Sequence, residues 1–142
     1  MNLATAIAIT SNGFKNKTDK AGKPYILHCL RVMFNLNSDD EELNSVAVMH
    51  DCVEDNICTI DDLFNYGFSI KVITSINFLT HHKNVPYQEY IKALANDEYA
   101  RKVKLADLKD NSDITRLKGL GKKDFDRMEK YHIAYTYLRT RL

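Results

Sequence analysis

Nowhere in the chain do apolar and polar residues alternate over the length of a strand; the apolar residues recur at helical spacing, in segments bracketed by side chains that cap helices. That pattern restricts the fold to an all-α one. Ser38-Asp39-Asp40-Glu41 has the form of a capping box, a side-chain acceptor with a carboxylate three residues on, and opens a helix whose pattern runs to about Asp55. Before it lie a helix over residues 3–14, a basic loop over 16–23 and a helix over 25–35. After it, Thr59 and Ser69 cap helices over 60–66 and 70–79, with Gly67 placed to stop the first. Pro86 suits a first helical turn and begins a helix to about Ala95. Asp97 caps one reaching about Asn111, and the last runs from Asp124 to near Arg141. No repeat or linker divides the 142 residues, a length typical of one domain, so 1–142 reads as a single compact helical bundle.

Charge excludes little and localises much. With 20 Lys+Arg against 19 Asp+Glu the formal net charge is +1, and no basic tract calls for nucleic acid, so any phosphate-binding surface must be a local cluster. The three cysteines, Cys29, Cys52 and Cys58, are odd in number and form no C-x-x-C pair, which points to a reducing compartment. The opening MNLATAIAIT lacks the basic lead of a signal peptide, and no apolar run nears the roughly 18 residues of a membrane span. A cytoplasmic protein with no membrane partner is the expectation.

Chemistry concentrates in VAVMHDCVEDN, residues 46–56. On a continuous helix His50/Glu54 and Asp51/Asp55 would each share a face, setting two carboxylate pairs and an imidazole among apolar neighbours. Left unpaired, so much negative charge is costly to bury, and a cation would offset it. A second concentration, VKLADLKDN, puts Asp107 and Asn111 on one face, and His28 in PYILHCL offers a third ligand source. Imidazole with carboxylate is a donor set for Mn, Fe, Co or Zn.

The order His28, His50-Asp51, Asp107 resembles the H…HD…D signature of the HD superfamily of metal phosphohydrolases. More specifically, GKPYILH, HDCVEDN and KLADLKDN resemble the hydrolase domain of the RelA/SpoT type and its small stand-alone members. The resemblance implies an all-helical HD bundle with one divalent ion, usually Mn²⁺, on His28, His50, Asp51 and Asp107. It implies that Glu54 and Asp55 handle the attacking water and leaving group, and that Asn111 contacts the substrate near the ribose. The reaction implied is hydrolysis of the 3′-pyrophosphate of guanosine tetra- or pentaphosphate, an alarmone of the stringent response. The alternatives are an HD nucleotidase acting on a 5′-monophosphate, a deoxynucleotide triphosphate or NADPH, and a nucleotide-sensing module without turnover.

Lys17, Lys20 and Lys23 of the basic loop, Lys83 and Lys104 are candidate phosphate contacts, Lys104 standing one helical turn before Asp107. Tyr131 is a candidate contact for the base or ribose. The chain departs from the resembled pattern at Phe14 and Asp19, where histidine and arginine are usual, and at Cys29, Leu108 and Asp110. These positions bear on which base the substrate carries. His81-His82 is a pairing seen in HD proteins that hold two metals, but no full second ligand set accompanies it, which leaves His81 as a supporting or phosphate contact. The partner expected is a small nucleotide, with a homo-oligomer left open.

Overall fold

The computed structural model describes residues 2–141, and among these it contains eight α-helices, one 3-10 turn and no strand. Helix α3 (Glu41–Met49) is central, with Leu43 and Ser45 through Met49 buried. It packs against α1 (Leu3–Gly13), α2 (Ile26–Asn35), α5 (Ile70–Leu79) and α7 (Glu98–Asn111). The short α4 (Ile60–Asn65) and α6 (Tyr87–Leu94) pack on α5, and α8 (Lys122–Arg139) lies along α7 and α6. Phe14, Met49, Leu63, Ile76, Leu94, Leu108 and Leu138 are the largest fully buried side chains of a contiguous core. No described helix is long and apolar enough to cross a membrane.

The capping residues act as their sequence positions suggest. Thr59 accepts from the Asp62 N–H while Asp62 accepts from the Thr59 N–H, and Ser69 accepts from the Val72 N–H. Two starts differ from expectation. The N-cap of α3 is Asp40, which accepts from the Glu42 and Leu43 N–H groups, while Ser38 accepts from the Asp40 N–H just ahead of it. Helix α8 begins at Lys122, because Asp124 reaches back to the Gly121 N–H.

The main correction concerns the end of α3. It stops at Met49 rather than near Asp55, and residues 50–56 wind through turns. The Cys52 N–H returns to the Met49 carbonyl, and the Ile57 and Cys58 N–H groups both return to the Cys52 carbonyl. Asn56 closes the segment at φ 61°, a left-handed conformation that asparagine tolerates better than most residues. Apolar spacing continues through Cys52 and Val53, which is why the sequence pattern extends the helix. The partners of the backbone do not.

The basic loop is also built. Asp19 accepts from the Ala21 and Lys23 N–H groups, Gly22 takes φ 79°, and the Tyr25 N–H reaches the Lys17 carbonyl. Phe14 is buried under this loop with its ring 4.9 Å from that of Tyr25.

Candidate metal centre

Three elements converge on one point. Helix α2 supplies His28, the C-cap of α3 supplies His50 with Asp51 following, and the third turn of α7 supplies Asp107. His28, His50 and Asp107 are all buried, and one donor atom from each lies within 4.8 Å of the other two, so the trio could hold a metal ion. The His28 Nε2 to Asp107 Oδ1 distance is 3.1 Å and that from His50 Nε2 is 3.2 Å. Asp51 Oδ2 stands 3.1 Å from His50 Nε2 and 3.8 Å from His28 Nε2. Adjacent donors on one divalent ion at about 2.1 Å stand roughly 3.0–3.4 Å apart, a range that the His28–Asp107, His50–Asp107 and His50–Asp51 spacings meet and the 3.8 Å from Asp51 to His28 exceeds.

Both imidazoles are prepared as ligands. His50 Nδ1 lies 2.7 Å from the Ala47 carbonyl, which can only accept, so Nδ1 carries the proton and Nε2 faces the carboxylates. His28 Nδ1 lies 2.6 Å from Asp110 Oδ2, and its buried Nε2 makes no hydrogen bond despite its closeness to Asp107. A buried nitrogen left without a partner, aimed at two carboxylates, is what a metal would complete. Burial works against a charged His50 ring, but Asp51 and Asp107 raise its pKa well above the usual histidine range. Burial likewise opposes ionisation of Asp51 and Asp107, yet the His50 ring holds Asp51 down at about 2, and Lys104 with His50 holds Asp107 lower than an ordinary carboxylate.

Supporting contacts surround the trio. Lys104 Nζ donates to Asp107 Oδ2 at 2.9 Å and Asn111 Nδ2 to Asp107 Oδ1 at 3.1 Å, so both residues serve Asp107 from one helical turn away. The Tyr25 hydroxyl donates to Asp51 Oδ2 at 2.5 Å, and burial with the Asp51 charge keeps that phenol protonated. Glu54 and Asp55 follow on the turns after α3 instead of sharing helix faces with His50 and Asp51, although the Asp55 N–H still bonds the Asp51 carbonyl. Glu54 accepts from the His81 N–H at 2.8 Å, and partial desolvation raises its carboxyl against that bond. Asp55 accepts from Lys17 Nζ at 2.8 Å.

A cavity of about 310 Å³ opens beside His28, between the basic loop and the segment from Asn111 into α8. Lys17, Lys20, Asn111 and Tyr131 line it, as expected from the sequence, and so do Arg116 and Arg127, which sequence reasoning did not single out as contacts. Lys23 and Lys83 are exposed and lie outside that lining. The His81 ring is engaged elsewhere, stacked on Tyr90 at 4.5 Å with Nε2 2.7 Å from the Val85 carbonyl; it holds Glu54 through its backbone. Among the described residues no second metal-capable cluster occurs. The cysteines are free and buried.

Tyr25, Asp110 and Arg116 were missed, and only Asp110 had drawn notice, as a departure from the resembled pattern. Arg116 Nη1 donates to Asp19 Oδ2 at 3.2 Å, and Nη2 to the Asp110 carbonyl at 2.8 Å. The Asp19 carboxylate is thus engaged by the loop backbone and by Arg116.

No family model matches the chain, and no curated protein matches it. Among solved structures, a chain described as a metazoan ortholog of SpoT that hydrolyses ppGpp superposes with a TM-score of 0.79 at 21% identity. The match covers 96% of this chain and 84% of that one. The all-helical bundle built around His28, His50 and Asp107 thus has the fold of that SpoT ortholog.

Proposed function

We propose that this protein is a metal-dependent phosphohydrolase that removes the 3′-pyrophosphate of guanosine 3′,5′-bis(diphosphate) or a closely related alarmone, the adenosine analogue included. The observation that carries the reading is the convergence of His28, His50 and Asp107, with Asp51 beside them, next to a cavity of about 310 Å³ that His28 lines together with Lys17, Lys20, Arg116 and Arg127. The fold shared with a ppGpp-hydrolysing protein supports it.

In this reading His28, His50, Asp51 and Asp107 hold one divalent ion, manganese by preference. When bound, such an ion polarises a phosphoryl oxygen and acidifies a water. Glu54 takes the proton of the attacking water; its raised carboxyl, three residues beyond Asp51, suits proton transfer nearer neutrality than a free glutamate would. Asp55, tethered by Lys17, is the second acid. Lys20 and Arg127 attract the phosphates, while Asn111 and Tyr131 form the wall against which ribose and base rest.

The test is a substrate panel: purified protein with Mn²⁺, offered ppGpp, its adenosine counterpart, NADPH, 5′-monophosphates and deoxynucleotide triphosphates, with pyrophosphate and phosphate followed separately. Pyrophosphate released from a tetraphosphate is the expected result. Phosphate released only from monophosphates or NADPH would overturn it in favour of a nucleotidase on the same centre, and bound metal without turnover would favour a sensing module. Within the leading reading, Asp107→Ala loses metal, whereas Glu54→Gln keeps metal and loses rate by about 10²–10⁴-fold. Equal metal loss in both variants contradicts the roles assigned.

A further inference from the structure

We propose that Asp110 is a positioning residue for the metal centre: it sets the tautomer and orientation of His28, and does so only as a carboxylate clamped by Arg31 and Arg116. The inference rests on His28 being a metal ligand and is independent of the substrate.

Asp110 lies one residue before Asn111 on α7, and its side chain is 5% exposed. Its Oδ2 is 2.6 Å from His28 Nδ1, its Oδ1 accepts from Arg31 Nε at 2.8 Å, and Arg31 Nη2 reaches Oδ2 at 3.2 Å. Arg116 Nη2 adds an ion pair to Oδ2 at 3.4 Å while bonding the Asp110 carbonyl. All these partners are donors. An amide in place of the carboxylate would set an N–H group against an N–H group whichever way it turned.

The arrangement has one outcome for His28. With Nδ1–H committed to Asp110, the Nε2 lone pair is left for the site, and Nε2 is the buried atom without a hydrogen bond. Two guanidiniums offset the cost of burying the carboxylate, which a single imidazole would not. Arg116 also lines the cavity and holds Asp19, so Asp19, Arg116, Asp110 and His28 form one continuous chain of polar contacts from the cavity wall to the metal ligand.

The experiment compares the wild-type chain with Asp110→Asn, Asp110→Ala and Arg116→Ala. Co²⁺ affinity is read from ligand-field absorption, and the ring tautomer of His28 from ¹⁵N-histidine spectra of the Zn²⁺-loaded protein. Circular dichroism checks folding. We expect both Asp110 variants to bind Co²⁺ about 10–100-fold more weakly and to lose the single Nδ1–H tautomer of His28, with a smaller loss in Arg116→Ala. Should Asp110→Ala fail to fold, Asp110→Asn, which keeps the volume, carries the result. Asp110→Asn binding within twofold of wild type with the His28 tautomer unchanged would overturn the positioning role and leave the metal centre standing. Wild-type protein that binds no Co²⁺ would overturn both.

Discussion

The Tyr25 hydroxyl, 2.5 Å from Asp51 Oδ2, shows how much of the site depends on groups that do no chemistry themselves. Tyr25→Phe removes the donor and keeps the ring packed on Phe14, so it should lower stability by about 1 kcal/mol in denaturant titration. It should also loosen Asp51 and weaken metal binding a few-fold. Unchanged metal affinity would show that Asp51 is held by His50 alone. Such supporting residues were illegible in sequence for a definite reason. His28, His50, Asp51 and Asp107 are recognisable by residue type and order. Tyr25 meets Asp51 across 26 residues, Asp110 meets His28 across 82 and Arg116 meets Asp19 across 97, separations at which no local pattern survives. Asp110 could be noticed only as an unusual residue in a recognisable segment; its value comes from α2 lying against α7.

Among the elements, α7 carries the most, since Lys104, Asp107, Asp110 and Asn111 all ride on it. Its register is set at the far end by Asp97, which accepts from the Ala100 N–H at 2.9 Å and from the Ser75 hydroxyl at 2.6 Å. Asp97→Ala removes a helix cap and a tie to α5, and the melting curve should report a loss of about 1–2 kcal/mol with the metal ligands untouched. A loss near zero would mean that packing alone starts the helix. Helix α1 has a different function, bracing the turns that carry Glu54 and Asp55. A Cβ on Gly13 would fall 2.1 Å from Ile57 Cγ2, so Gly13→Ala should cost about 1–3 kcal/mol and Ile57→Ala in the same chain should recover part of it. Additive losses would refute that contact. Helix positions were readable because caps and apolar period are local. The end of α3 was not, because it is decided by the Ile57 and Cys58 N–H groups returning to the Cys52 carbonyl.

At the scale of the whole molecule, the centre ties together α2, the end of α3 and α7, which meet only when the bundle is assembled. A divalent ion that binds this assembly and not the open chain stabilises it by about 2.7 kcal/mol at 100-fold excess over its Kd. Mn²⁺ should therefore raise the melting temperature and a chelator should reverse the shift; an unshifted curve would argue against the centre. The same geometry fixes when an ion can enter. His28 and His50 belong to the first half of the chain and Asp107 to the second, so a polypeptide organised only in its first half offers the paired imidazoles without the carboxylate that completes them. Loading is thus a late kinetic event. Stopped-flow refolding should proceed at the same rate with and without Mn²⁺, while unfolding slows as the ion concentration rises, making metal a brake on disassembly instead of a template for assembly.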